Sequence, residues 1–379
     1  MTLFLFLKQI VDMLYQYRIL DYIMVIWVVL LLLYQVALVR PDIRKNVTLA
    51  DGIVLLLGTL LTVNFVRSQS GYEIYFKVMS AFLMYFVGRI YYDRIKECYG
   101  ALVTASYFIV YVSLAERIHR FGFALGTVRD AGGGFYFYDT DLAFAMILAM
   151  VFIAMFGKNS VFKLITIFIV CPYMVIFSDA GIQVMLMFAV YAVIAIYVME
   201  LIFRKKKMFN YLLTIIVLGL IAIVIFIYLP VFGVDNNVLM AKIFDGHFLN
   251  SSSMNDRYAA WQEALNEIEK SGIAGRLFGV GMGAEITIRS LYIKIFYSMG
   301  TAGLLLSAML IVAVMYYVTK VDDRKTFYLA VIMAVVLLGT GVTVNSMEST
   351  QMSWFPLLFA GMVVSSAQEE KDEQLLQEE

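Results

Sequence analysis

Charge is what this sequence has least of. Asp, Glu, Lys and Arg make up 15% of its 379 residues, where roughly a quarter is usual. A soluble chain of this length needs more charge than that to cover its surface, so soluble fold classes are excluded. The 29 basic and 29 acidic residues cancel, which leaves no basic footprint for nucleic acid. The two cysteines, Cys98 and Cys171, fall in different predicted elements without CxxC or zinc-type spacing. Neither a disulfide framework nor a metal site is supported. Histidine is as rare, with His119 and His247 alone. No Pro-rich or Ser-rich linker and no internal repeat divides the chain. The opening Met1-Thr-Leu-Phe-Leu-Phe-Leu lacks a basic n-region and a small-residue cleavage site, so no cleavable signal is expected.

What the sequence has is apolar residues, 62% of the chain, gathered in blocks of about 17–25, the length of a helix that crosses a bilayer. Eleven spans are expected, near 19–38, 49–66, 72–90, 97–115, 140–157, 161–178, 180–203, 209–229, 290–318, 326–344 and 351–366. The fold class is therefore all-α, a single integral membrane domain over 1–379. Lys and Arg mark alternate connections: Arg40/Arg44/Lys45, Arg89/Arg94/Lys96, Lys158/Lys163, Arg204 to Lys207 and Lys320/Arg324/Lys325. The excess of positive charge on the inner side places these connections, and with them the acidic tail 367–379, in the cytoplasm. Residues 3–18 set Lys8, Gln9, Asp12 and Gln16 on one helical face and Phe4, Leu7, Val11 and Leu14 on others. That pattern suits an amphipathic helix lying in the interface. A crossing there would make twelve spans.

Two connections on the opposite side are long, loop A at 116–139 and loop B at 230–289. Loops beyond about 12–15 residues are uncommon and usually functional or disordered. Loop B carries a readable helix. Ser253-Met-Asn-Asp256 has the form of a capping box. Tyr258, Trp261, Leu265 and Ile268 then recur at helical spacing as an apolar face, and Gly272 can stop the helix.

Loop B continues with Arg276-Leu-Phe-Gly279-Val-Gly281-Met-Gly283-Ala-Glu285, then Arg289-Ser-Leu-Tyr292, and enters a span containing Gly300-Thr-Ala-Gly303. An arginine–tryptophan helix (Arg257, Trp261), a glycine turn and a glycine-containing span, in that order, resemble the O-antigen ligase and polymerase superfamily. Loop A adds Arg129-Asp-Ala-Gly-Gly-Gly-Phe-Tyr-Phe-Tyr-Asp139-Thr-Asp141-Leu-Ala143, similar to the stretch that precedes a span in that family. The shared arrangement covers approximately 116–305, and its order is more specific than any one motif.

The resemblance implies a GT-C-like membrane glycosyltransferase with 11–12 spans in the bacterial cytoplasmic membrane. It would act at the extracytoplasmic face on undecaprenyl-diphosphate-linked glycans as donor and acceptor, beside membrane lipid, a chain-length regulator and a flippase. No cofactor and no metal are implied. Charge develops on the diphosphate as the glycosidic bond breaks, and guanidinium forks suit its oxygens. Arg129 and Arg257, which match family positions, are assigned to it first, then Arg276 and Arg289. The alternative for each is a solvated or interfacial loop arginine. Loop B holds more acidic than basic residues, so a diphosphate site there depends on geometry that clusters arginines. His247 is one candidate for the group that takes the acceptor's proton. Glu285, after the glycine turn, is the other.

Two stretches depart from the family pattern. Where ligases carry His-Asn-x-Tyr, this chain has Arg289-Ser-Leu-Tyr292, which favours polymerase over ligase. Where the family has Ser-Arg-Gly, it has Ser178-Asp-Ala-Gly181, without the arginine. Asp139-Thr-Asp141 has the form of a metal-holding DxD, but N-cap oxygens for the following span are the expected role. Gly279, Gly281 and Gly283 form no dinucleotide fingerprint, because no strand precedes them. Glu73 and Lys77 are expected to pair. Tyr136 and Tyr138 suit either stacking on sugar rings or an aromatic belt. The competing classes are a ligase-type transferase, a lipid-linked glycan transporter or flippase, and a receptor or structural protein. Transport is disfavoured because the unexplained charge lies in the outer loops rather than inside spans.

Overall fold

The structure is a computed structural model, and it describes residues 1–14, 17–39, 47–68, 71–122, 134–136, 138–176, 178, 181–204, 252–282 and 287–378. Among them there is no strand. The helices are α1 (Thr2–Met13), α2 (Arg18–Tyr34, widened into a π turn at Gln35–Val39), α3 (Leu49–Ser68), α4 (Tyr72–Ile90), α5 (Tyr92–Glu97), α6 (Tyr99–Phe121) and α7 (Asp139–Phe156). They continue as α8 (Val161–Ile176), α9 (Gly181–Arg204), α10 (Ser252–Lys270), α11 (Gly272–Phe278), α12 (Leu291–Val318), α13 (Arg324–Thr340) and α14 (Thr350–Glu378). Six are long and apolar enough to cross a membrane, at Ile19–Ala37, Leu49–Ser68, Tyr99–Phe121, Asp139–Phe156, Ile182–Leu201 and Leu291–Val318. Val161–Ile176 is a shorter apolar helix. The spans expected at 72–90, 326–344 and 351–366 are helical too, as α4, α13 and α14, but lie outside those six. The span expected at 209–229 lies outside the described residues. The protein is an all-α polytopic membrane protein.

The helices form two compact units, Met1–Asp21 with Arg94–Asn250, and Tyr22–Asp93 with Ser251–Glu379. In the first, α7 is buried on nearly every side from Leu142 to Ile153, which its uninterrupted apolar sequence permits. α1 packs on α6 with its polar face inward: Lys8 and Gln9 are buried, and Lys8 pairs with Asp12. Gln9 Nε2 donates to the Leu102 carbonyl at 3.2 Å, and Gln9 Oε1 accepts from Ser106 Oγ at 3.0 Å. Lys8 and Gln9 are thereby turned into the protein and away from water. The polar face finds partners on α6 instead. α8 contains a π turn at Thr166–Val170 just before Pro172. Proline lacks the N–H of the regular ladder and crowds the preceding turn, which a widened turn accommodates.

In the second unit α4 and α14 touch backbone to backbone. A Cβ on Gly88 would lie 2.0 Å from the Leu358 carbonyl oxygen, and one on Gly361 would lie 2.0 Å from that of Tyr85. Small residues that admit such approach are the usual means of packing membrane helices. The contact also buries polar groups that satisfy one another. Trp354 Nε1 donates to Ser80 Oγ at 3.0 Å, and Arg89 Nη2 donates to Gln368 Oε1 at 2.6 Å. Glu73 and Lys77 pair at 2.6 Å, as their spacing predicts.

Candidate functional site

The second unit holds the glycine turn and the helix before it. α10 starts at Ser252, so Ser253 lies inside the helix and is not its N-cap, contrary to the capping-box expectation. The helix ends at Lys270, and Gly272 then takes φ +72°, a left-handed conformation open to glycine. The buried face of α10 is Ala264 and Ile268, which pack with Ile288 and Tyr297. Tyr258 and Leu265 are exposed, so the expected apolar face is narrower and turned toward Ala264. Tyr297, on α12, donates from its hydroxyl to Glu267 Oε2 at 2.6 Å and fixes the helix on α12.

The turn after α11 crosses α12 where both chains are glycine. Gly279 has φ +90° and Gly300 φ +64°. A Cβ on Gly279 would sit 2.4 Å from the Ser298 backbone, and one on Gly300 would sit 2.5 Å from that of Leu277. Gly300 is the non-helical residue inside α12. Two separated motifs thus form one junction. The end of α3 holds it: Asn64 Nδ2 donates to the Phe278 carbonyl at 2.8 Å, and Arg67 Nη2 to the Gly279 carbonyl at 2.7 Å. The Val280 amide donates to the Tyr297 carbonyl at 2.7 Å, and Thr301 Oγ1 to the Arg276 carbonyl at 2.8 Å. Asn64 and Arg67 were not singled out from the sequence. Their signal there is two polar residues three apart at the end of an apolar block, one helical face.

Of the six residues expected at the site, three are described. Arg257, in the second turn of α10, is half-buried. Burial and then the positive charge of Arg289 lower its guanidinium pKa. Two cations held together repel, and an anion between them relieves the repulsion. Trp261, one turn after Arg257, has an indole Nε1 that is buried with no hydrogen-bond partner, a donor lacking an acceptor. Arg276 is exposed and faces Glu269 at 3.4 Å, with both side chains more than half accessible. Such surface pairs contribute about 0–1 kcal/mol. Arg129, His247 and Glu285 lie outside the described residues.

Ser290 takes the N-cap position of α12 in extended conformation, and the Leu291 amide donates to the Gly341 carbonyl at 2.8 Å. The Arg289-Ser-Leu-Tyr292 stretch is thereby tied to the end of α13, where Tyr292 also donates from its hydroxyl to the Leu338 carbonyl at 2.8 Å.

In the first unit, the return of loop A is fastened to α6, which runs on through Phe121. Glu116 Oε2 accepts from the Phe135 amide at 3.1 Å, and Gly134 at φ +68° leaves room for that carboxylate. Tyr136 is buried, and its hydroxyl has no hydrogen-bond partner, which does not suit stacking on a sugar. Tyr138 is exposed and holds the N-cap position of α7. Asp139 and Asp141 therefore fall in the first turn, not at the cap, where carboxylates favour the positive end of the helix dipole. His119 lies in the last turn of α6. Compared with known proteins, the chain matches no family model and no curated relative.

Proposed function

We infer that this protein is a Wzy-type polymerase, joining undecaprenyl-diphosphate-linked repeat units into a surface polysaccharide such as an O-antigen or capsule. What supports the reading is Arg257, half-buried on α10 with the positive charge of Arg289 acting on it, in the loop that the family resemblance picks out. In this reading a hydroxyl of the acceptor unit attacks the anomeric carbon of the donor glycan. The bond from that carbon to the diphosphate oxygen breaks, and the lipid diphosphate leaves with the electron pair. Arg257 and Arg289 take the charge that develops on it, and electrostatic groups already in place cost little reorganisation at that moment. Trp261 Nε1 supplies a neutral donor to the same group. The acceptor's proton passes to His247 or Glu285. Arg129 is a further diphosphate ligand in this reading. The fold would be GT-C-like with eleven or twelve spans, loops A and B extracytoplasmic, in the bacterial cytoplasmic membrane.

The Arg289-Ser-Leu-Tyr292 stretch favours polymerase over ligase, since the ligase pattern has His-Asn there. The test is purified protein with a lipid-linked repeat unit as the only glycan. A ladder of longer lipid-linked glycans supports polymerisation. Transfer only when another acceptor is added would make it a ligase. Movement of the intact unit across a vesicle bilayer without chemistry would make it a transporter.

A further inference from the structure

A cavity of 520 Å³ lies in the second unit between α3, α4, α12 and the segment following α13. Ligand pockets usually enclose roughly 300–1,000 Å³. Its walls are mostly apolar, and at two wall residues, Leu305 and Ile311 of α12, it meets the outer surface, where they are 61% and 38% exposed. α12 is long and apolar enough to span the membrane, so the opening faces hydrocarbon and an occupant would enter from the bilayer.

The interior is not wholly apolar. Lys294, buried in α12, stands 3.2 Å from Glu348 Oε1, so the cavity's charges cancel. Two more of its lining groups are buried and lack any hydrogen-bond partner, Ser298 Oγ and Asn345 Nδ2. A buried polar atom left in this state costs about 1–3 kcal/mol, and water in an apolar chamber needs two to four polar partners to remain. Neither group is used by the diphosphate site.

We propose that this cavity is a binding site for an uncharged glycerolipid of the diacylglycerol class. The acyl chains occupy the apolar chamber, and the ester carbonyls accept from Asn345 Nδ2 and Ser298 Oγ. The free hydroxyl donates to the Glu348 carboxylate. A phosphate head would bring negative charge against Glu348 with Lys294 already committed, so net neutrality selects an uncharged head. The proposal does not rest on the polymerase reading.

The test uses the full-length protein in lipid nanodiscs and a diacylglycerol carrying a photoreactive diazirine on one acyl chain. Labelling is expected on peptides within 291–311. Unlabelled dioleoylglycerol should suppress it, and dioleoyl phosphatidate or a polyprenyl diphosphate should not. Asn345→Leu and Ser298→Ala should each weaken labelling by about fivefold, the loss of one hydrogen bond. Ser298→Ala is small enough to keep the fold if the larger change does not, and the competition among lipids decides the head chemistry in the unaltered protein. Labelling only on peptides that do not line the cavity, or undiminished labelling in Ser298→Ala, overturns the proposal. Suppression by the phosphate-headed lipids equal to that by dioleoylglycerol overturns it as well, and would assign the cavity to the diphosphate donor. Loss of polymerase activity has no bearing on any of these outcomes.

Discussion

At the scale of single residues, the glycines at the turn and in α12 have the clearest physical reason to be where they are. Gly279 and Gly300 each combine a left-handed φ with a backbone neighbour where a Cβ would stand. Alanine at either position should cost about 2–5 kcal/mol, from left-handed strain and overpacking together. Thermal unfolding of the purified protein would show this as a lowered midpoint, while alanine at exposed Gly272, with no atom near its Cβ position, should cost less. Equal midpoints for all three would remove the junction from the account. These glycines were legible in the sequence as a motif, though not as two halves of one contact. Asn64 and Arg67 were not legible. Each is more than two hundred residues from the carbonyls it binds, and a side chain bound to a backbone carbonyl demands nothing of its partner's residue type. Lys294 was equally hidden. An ionisable residue within an apolar block is itself a pointer to function, but its partner Glu348 could be known only from the fold.

At the scale of elements, α3 acts as the bracket of the glycine turn. Replacing Arg67 with Met keeps an unbranched apolar stem but removes its donors to the Gly279 and Val280 carbonyls. Hydrogen bonds from a charged group contribute roughly 1.5–3 kcal/mol, so amide exchange at 278–282 should quicken by about tenfold or more while that of α7 stays unchanged. Unaltered exchange at the turn would show that α3 does not hold it. The helix expected in loop B is present because its apolar spacing was readable. Its start and its buried face were displaced, since helix ends vary by a residue or two and tertiary contact, here with Ile288 and Tyr297, decides which side is covered. In α1 the amphipathic pattern is plain in the sequence, but periodicity cannot say whether a polar face meets water or another helix, and Gln9 meets Leu102 and Ser106. Gln9→Leu should therefore destabilise the protein by about 1–3 kcal/mol, because it removes both hydrogen bonds between the Gln9 amide and α6, although the Ser106 hydroxyl keeps the Leu102 carbonyl. A melting point equal to that of the unaltered protein would speak for an exposed polar face.

At the scale of the whole molecule, the apolar blocks and the scarcity of charge were enough to read an all-α membrane protein. Hydropathy carries that signal because every backbone group within lipid must be bonded internally. Orientation is a separate proposition resting on the positive-inside pattern. It predicts that single cysteines placed in loops A and B react with a membrane-impermeant thiol reagent in intact cells, in a background lacking Cys98, and that one at 205–207 does not. The reverse pattern would invert the topology. The central claim is narrower: Arg257 and Arg289 act together on a lipid diphosphate. Its most direct measurement is the rate of polymer formation by purified protein carrying Arg257→Lys, Arg289→Lys and both changes, at matched amounts in the membrane. An ammonium keeps the charge but not the bidentate fork, so each single change should slow the reaction by about ten- to a hundredfold. Residues that act as a unit are not additive, so the double variant should be little slower than the worse single one. Full activity in both single variants, or a double variant slowed by the product of the two factors, would contradict the account.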